Sequence, residues 1–230
     1  MSRYGHRMTC TLTDLVARAR GLVSGGRRAV LGIAGQPGAG KSTLAAALVT
    51  ALAADPPPGH GADWVAHVPM DGFHLADAEL DRLGLRDRKG APDTFDAYGY
   101  AALLRRLLDD QDPMIYAPGF ERVLEQPIAG AVGVPRAARL VVTEGNYLLV
   151  DDARWRPVRA LLTEVWYTDL DAGERLRRLV ERHVRFGKAE ADAVAWATGT
   201  DERNAELIAS TRERADLLVP DSVLRRLPPG

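Results

Sequence analysis

An α/β fold, a parallel sheet flanked by helices on both faces, is the class this sequence predicts, and three observations predict it. Short apolar runs at Ala29–Ala34, Trp64–Met70, Leu140–Thr143, Glu164–Thr168 and Leu217–Val219 alternate with stretches of helical periodicity, the pattern of strand–helix–strand units. The first run leads into a glycine-rich loop and then a helix-forming stretch, AVLGIAGQPGAGKSTLAAA. The second and third are followed by carboxylates, Asp71 and Glu144, and ligands of open α/β sheets bind at the carboxyl ends of strands. With 230 residues the chain can form one such domain or two small ones. The continuous alternation favours one, with an N-terminal helix in 1–28, a core in 29–219 and a tail in 220–230.

Composition narrows the classes. Hydrophobic residues make up 46% and charged residues 27%, as in ordinary globular proteins. The net charge of −1 gives no general attraction to nucleic acid or a membrane surface. The single cysteine, Cys10, excludes an internal disulfide and a cysteine-built zinc site, and reads as a half-buried small hydrophobe. No apolar run reaches the length of a membrane span, and no signal peptide is evident. A reducing cytoplasm is the expected compartment.

Taken in order, residues 1–10 are expected to be loose. Leu12, Leu15, Val16, Ala19, Leu22 and Val23 recur at helical spacing, and Ser24-Gly25-Gly26 stops that helix. After the first strand, loop and second helix, Asp55-Pro56-Pro57-Pro58-Gly59 is a surface loop, because proline continues neither helix nor central strand. Leu75–Leu83 is predicted helical, Leu85–Asp96 polar and too charged for core, and Tyr98–Leu108 an amphipathic helix. Pro113–Gly133 suits short strands or a hairpin. Helices are expected at Trp155–Leu162, Leu170–Phe186, Ala189–Trp196 and Glu202–Ala215.

The loop carries the first chemistry. Gly35, Gln36, Pro37, Gly38, Ala39, Gly40, Lys41 and Ser42 match G-x-x-x-x-G-K-[ST] throughout, and Thr43 completes the expected ATP-binding segment. Glycines let backbone N–H groups close on a polyphosphate, and the helix starting near Lys41 adds unpaired donors and its positive dipole end. Lys41 would reach the β and γ phosphates, and the Ser42 hydroxyl would face Mg²⁺.

Three further features suit transfer of a phosphoryl group, which needs positioning, charge neutralisation and a carboxylate to accept a proton. Asp71 is the candidate base, with a metal contact as the competing role and a turn residue before Gly72 as the plain one. Glu144 is the candidate metal carboxylate, against a helix cap or an arginine partner. Arg175, Arg178, Arg182 and Arg185 fall within roughly 80° on one helical face, either a solvated face paired with Glu174 and Glu181 or a movable cation stripe over the phosphates. His183 falls toward the apolar side and reads as packed, and His6, His60, His67 and His74 show no metal-ligand spacing.

With these residues in view the chain resembles the P-loop kinases that include uridine kinase, type I pantothenate kinase and phosphoribulokinase. GQPGAGKST, MDGFHL, RKGAPDTFD and TRERADLLV carry the resemblance, which runs from about Ala29 to Val219. It implies a P-loop NTPase fold with an arginine-bearing, lid-like helix. It also implies Asp71 as catalytic aspartate, Lys41 as phosphate lysine, Arg182 as an arginine contacting phosphate and substrate, and Tyr116 in the acceptor pocket. The sequence departs from pantothenate kinases at Pro118, where they have a histidine, and at Leu207, where they have an asparagine, with Asn204 nearby. What carries over is a hydroxyl on a polar small molecule, with Lys89, Tyr116 and Arg122 as substrate-binding candidates.

The expected activity is therefore an ATP- and Mg²⁺-dependent kinase acting on a small-molecule hydroxyl. The expected partner is that acceptor, with a homodimer allowed and no nucleic acid or membrane. The alternative is a nucleotide-dependent regulatory or switch protein with weak NTPase activity. Against it, the chain has neither a guanine-specifying Asn/Thr-Lys-x-Asp motif nor a transporter signature after the loop.

Overall fold

The structure, a computed structural model, describes residues 10–187 and 189–227. The expected loose start (residues 1–9, with His6) and the end of the tail (228–230) lie outside the described residues. The strands are β1 (Ala29–Ala34), β2 (Val65–Pro69), β3 (Met114–Glu121), β4 (Gln126–Pro135), β5 (Leu140–Glu144), β6 (Glu164–Asp169) and β7 (Leu217–Pro220). The helices are α1 (Leu12–Gly21), α2 (Lys41–Ala54), α3 (Asp77–Leu83), α4 (Ala97–Asp109), α5 (Arg156–Arg159), α6 (Ala172–Arg185), α7 (Glu190–Thr198), α8 (Thr200–Ala209) and α9 (Asp221–Leu224).

Five strands form a parallel sheet in the order β2-β5-β1-β6-β7, and β3 and β4 form a separate antiparallel hairpin. All six residues of β1 are buried, as expected of a central parallel strand covered on both faces. Alternation splits the strand between two cores. Leu31 and Ile33 pack with Leu15, Leu44, Leu48 and Leu52 from α1 and α2. Val30 and Ala34 pack with Tyr100, Leu104 and Val158 from α4 and α5. Cys10 packs half-buried against the first of these cores. The P-loop fold with helices on both faces is thus as the sequence predicts.

Register positions the site. Ile33 of β1 pairs with Glu144 of β5, and Glu144 with Pro69 of β2. One row across three strands therefore ends where the phosphate loop, Glu144 and Asp71 begin. Among the described residues, no helix is long and apolar enough to cross a membrane.

Several expected elements are shorter because strand pairing claims their ends. The helix expected at 202–215 stops at Ala209, and Asp216 N–H donates to Val165 O (2.8 Å) to align β7 on β6. The helix expected at 155–162 is one turn, Arg156–Arg159, since Thr163 N–H already donates to Val30 O (2.8 Å). The segment 85–96 is not wholly surface. Its tight turns bury Thr94 and Phe95, with the Thr94 hydroxyl donating to Ala91 O at 2.7 Å and accepting from Gly90 N–H at 3.0 Å. On α4, Tyr98 is exposed while Tyr100 is fully buried, its hydroxyl 2.6 Å from that of Thr143.

Candidate functional site

The phosphate loop is shaped to present donors outward. Gly40 caps α2 from the left-handed region (φ 82°), with no capping side chain and no acidic residue in the first turn. The first N–H groups of α2 thus face the loop without an internal partner, the arrangement that attracts a phosphate. Lys41 is buried and its ammonium donates to Gln36 O at 3.0 Å inside the loop. Burial lowers its pKa to about 8, against the opposing pull of Glu144 and Asp71.

The two strand-end carboxylates meet this loop. The Ser42 hydroxyl donates to Glu144 Oε1 at 3.1 Å, and Glu144 is 5% exposed. Burial, then the neighbouring Asp71 charge, pushes the Glu144 carboxyl up to about 7. Two glycines permit the approach. A Cβ on Gly145 would lie 2.5 Å from Met70 Sδ, and one on Gly72 would collide with the Pro118 carbonyl. Gly145 thereby seats the end of β5 beside the turn carrying Asp71, and Gly72 seats that turn against the hairpin.

Asp71 lies in a single 3₁₀ turn after β2. Its Oδ2 accepts from Arg122 Nη2 at 2.6 Å. Burial alone would raise its pKa, but nearby positive groups prevail and hold it below the usual carboxylate range. His74 contributes most to that lowering, then Arg122, Lys41 and Arg182, while burial lowers the pKa of His74 itself.

The arginine face of α6 divides. Arg175 is buried, donating to Pro37 O (3.4 Å) and to Glu202 on α8 (2.5 Å), so it braces the phosphate loop from behind. Arg178 pairs with Glu174 at 2.6 Å. Arg182 is exposed, its side chain makes no hydrogen bond or ion pair to a described residue, and it lies within electrostatic reach of Asp71 and Glu144. His183, expected to be packed, is largely covered and contacts Asp201 at 2.7 Å.

The acceptor-side candidates separate as well. Arg122 faces Asp71, as described. Lys89 is committed to a clamp, with its ammonium on Asp77 Oδ1 (2.7 Å) and on the Glu125 carbonyl, which ties the 86–90 turn to the hairpin. Tyr116 stands 63% exposed on the strand face opposite the buried Ile115 and Ala117. Ala117 pairs with Val132 but Gly119 with Ile128, so the extra residues bulge from β4 and β3 keeps its alternation. Farther along β3, Phe120 packs on His74 (ring centroids 4.8 Å apart) and Arg122 lies over Phe120 (4.9 Å).

Sequence reasoning gave no site role to three groups. His74, its Nδ1 2.8 Å from Asp71 O, sits between Phe95 and Phe120. Its place in MDGFHL was the available signal. Asn204 Nδ2 donates to Gly90 O at 3.4 Å, and Tyr147 donates to the same carbonyl. Neither contact has a local signature. Among the described residues no cluster of three His, Cys, Asp or Glu side chains could hold a metal. One buried carboxylate beside one hydroxyl suits Mg²⁺, which keeps waters and phosphate oxygens as its other ligands.

A phosphate loop opening an uncapped helix, with two carboxylates at adjacent strand ends, defines a P-loop phosphotransferase. The chain is 32% identical over 218 residues to a candidate uridine kinase of Schizosaccharomyces pombe, spanning 93% of this chain and 90% of that protein. It is 32% identical over 193 residues to the uncharacterised protein YggC of Escherichia coli, with 84% and 78% spanned. The crystal structure of a candidate fructose transport system kinase from Silicibacter sp. TM1040 matches with a TM-score of 0.82 at 36% identity, over 92% of this chain and all of that one. No protein-family profile matches. The chain belongs to the P-loop kinases of the uridine kinase-like group, and is an ATP-dependent phosphotransferase.

Proposed function

We propose that this protein transfers the γ-phosphate of ATP to a hydroxyl of a small molecule, with Asp71 as the base. The observation that carries this reading is the meeting of Asp71 with Lys41, Arg182 and Glu144 at the mouth of the phosphate loop. Residues 35–43 would hold the triphosphate. Ser42 and Glu144 would hold Mg²⁺, which when bound would neutralise charge on the phosphates. The acceptor oxygen forms a bond to Pγ as the bond from Pγ to the β–γ bridging oxygen breaks, and that electron pair leaves on ADP. The hydroxyl proton passes to the Asp71 carboxylate, which its cationic neighbours keep ionised. Lys41 and Arg182 face the charge that spreads over the transferred group. The kinase core would span 29–219, with 1–28 and 220–230 as its extensions.

Because two relatives are named for uridine and fructose, a nucleoside and a sugar are the first acceptors to try. ADP release is measured with ATP and Mg²⁺ alone, then with uridine, cytidine, fructose and pantothenate. Acceptor-stimulated release supports the kinase. Release that no acceptor changes would instead indicate the switch-like hydrolase.

A further inference from the structure

Phosphoryl transfer gives work to every cation around Asp71 except one. Lys41 rises from the phosphate loop and Arg182 from α6, both on the nucleotide side. Arg122 comes from the opposite wall, just past the end of β3. It donates one N–H to Asp71 Oδ2 at 2.6 Å and lies over the Phe120 ring at 4.9 Å. Its side chain is 39% exposed, and its remaining N–H groups meet no acceptor among the described residues. A guanidinium presents five donors in a flat fork that matches a carboxylate or phosphate. Here Asp71 uses one of the five, and more than a third of the side chain is open to solvent.

The other cations of this wall are paired. The Lys89 ammonium stands 5.6 Å from the same Phe120 ring and pairs with Asp77, while Arg86 pairs with Asp77 at 2.8 Å and with Asp81 at 3.4 Å. A hydroxyl hydrogen-bonded to Asp71 therefore brings its neighbouring substituents beside Arg122, whose remaining donors are open.

We propose that Arg122 receives an acidic group of the acceptor, so that the molecule phosphorylated carries a carboxylate or phosphate a few bonds from its reactive hydroxyl. This rests on Asp71 being the acceptor-side carboxylate. In the Asp71–Arg122 pair the guanidinium is 39% and the carboxylate 24% exposed, so an incoming acid reaches the guanidinium first. The acceptor's acid takes Arg122 as its partner and leaves Asp71 Oδ2 to receive the hydroxyl proton. Recognition of the acid and exposure of the base are then one event.

The test compares acceptors in matched pairs: glycerol with glycerate, pantothenol with pantothenate, fructose with fructose 6-phosphate. ADP release is followed for the wild type, Arg122→Gln and Arg122→Lys. In at least one pair the acidic member should exceed its neutral partner by about tenfold or more in kcat/KM, the scale of one charge-assisted hydrogen bond. The first two pairs report a carboxylate and the third a phosphate. Arg122→Gln should bring that ratio close to one, mainly through KM of the acidic member, and Arg122→Lys should restore part of it. Neutral members used as well as acidic ones, or a ratio that survives Arg122→Gln, overturns the inference and leaves the kinase standing. ATP binding without stimulation by any acceptor overturns the kinase reading and this inference with it. Should Arg122→Gln fail to fold, the wild-type ratios decide.

Discussion

The phosphate loop and the wall facing it both offer cations and hydrogen-bond donors around buried carboxylates, yet they draw on very different amounts of chain. The loop is contiguous. Residues 35–43 with the first turn of α2 contain its glycines, its lysine and its hydroxyl. The facing wall is assembled from Asp71 and His74 after β2, Gly90 in the following turns, Phe120 and Arg122 on the hairpin, and Asn204 on α8. A contiguous site is written in local backbone geometry, and a motif can show it. An assembled site depends on register and close approach, so a change far from the chemistry can disturb it.

The sharpest way to break this contrast is at Asp71, where the two walls meet. Asp71→Asn keeps the shape and removes the proton acceptor. Acceptor-dependent ADP release should fall roughly 10²–10⁴-fold, while calorimetric titration still shows ATP binding. Full turnover in this variant would sink the assignment.

Next in size is a pH effect on the loop side. Because Glu144 is pushed up to about 7, the folded protein keeps a proton that the unfolded chain releases near pH 4.5. The contribution of Glu144 to the stability of the ligand-free protein is therefore greatest below that pH. It falls as pH rises to about 7, by on the order of 3 kcal/mol. Denaturant unfolding at pH 5 and 7.5 should show this decline in the wild type and a flatter profile in Glu144→Gln. Equal declines in both would refute the burial argument.

The assembled wall should be the more fragile to a single methyl group. Gly72→Ala places a Cβ against the backbone carbonyl of Pro118, which cannot yield as a flexible side chain would. A loss of about 1–3 kcal/mol is expected, seen as a lower Tm, together with a raised KM for the acceptor. An unchanged acceptor KM would show that the hairpin does not line the pocket. The smallest effect is expected at Asn204→Ala. It removes one of two donors to Gly90 O while Tyr147 remains, so thermal unfolding should register about 1 kcal/mol or less.

Much of this protein is legible without coordinates. Five apolar runs gave five sheet strands because a buried parallel strand needs apolar residues on both faces, which composition alone displays. The misjudged helix ends at Leu162 and Ala215 arose where backbone pairing with Val30 and Val165 outweighed helical propensity. The hairpin shows a related limit: the irregularity opposite Ala117 and Gly119 comes from extra residues on β4, and nothing in the one-dimensional alternation marks it.

By itself, then, the sequence determined the α/β layering, the phosphate loop and the two strand-end carboxylates. Each depends on residues close together in the chain, through hydrophobic period or turn geometry. Only the tertiary structure decided where the candidate cations stand. Of the arginines on α6 it turned Arg175 into a brace and Arg178 into a partner of Glu174, and it left Arg182 in the cleft. From the hairpin it brought Arg122, 51 positions away, onto Asp71. Those placements rest on close approaches, as at Gly72 and Gly145, which exist only once distant segments have packed.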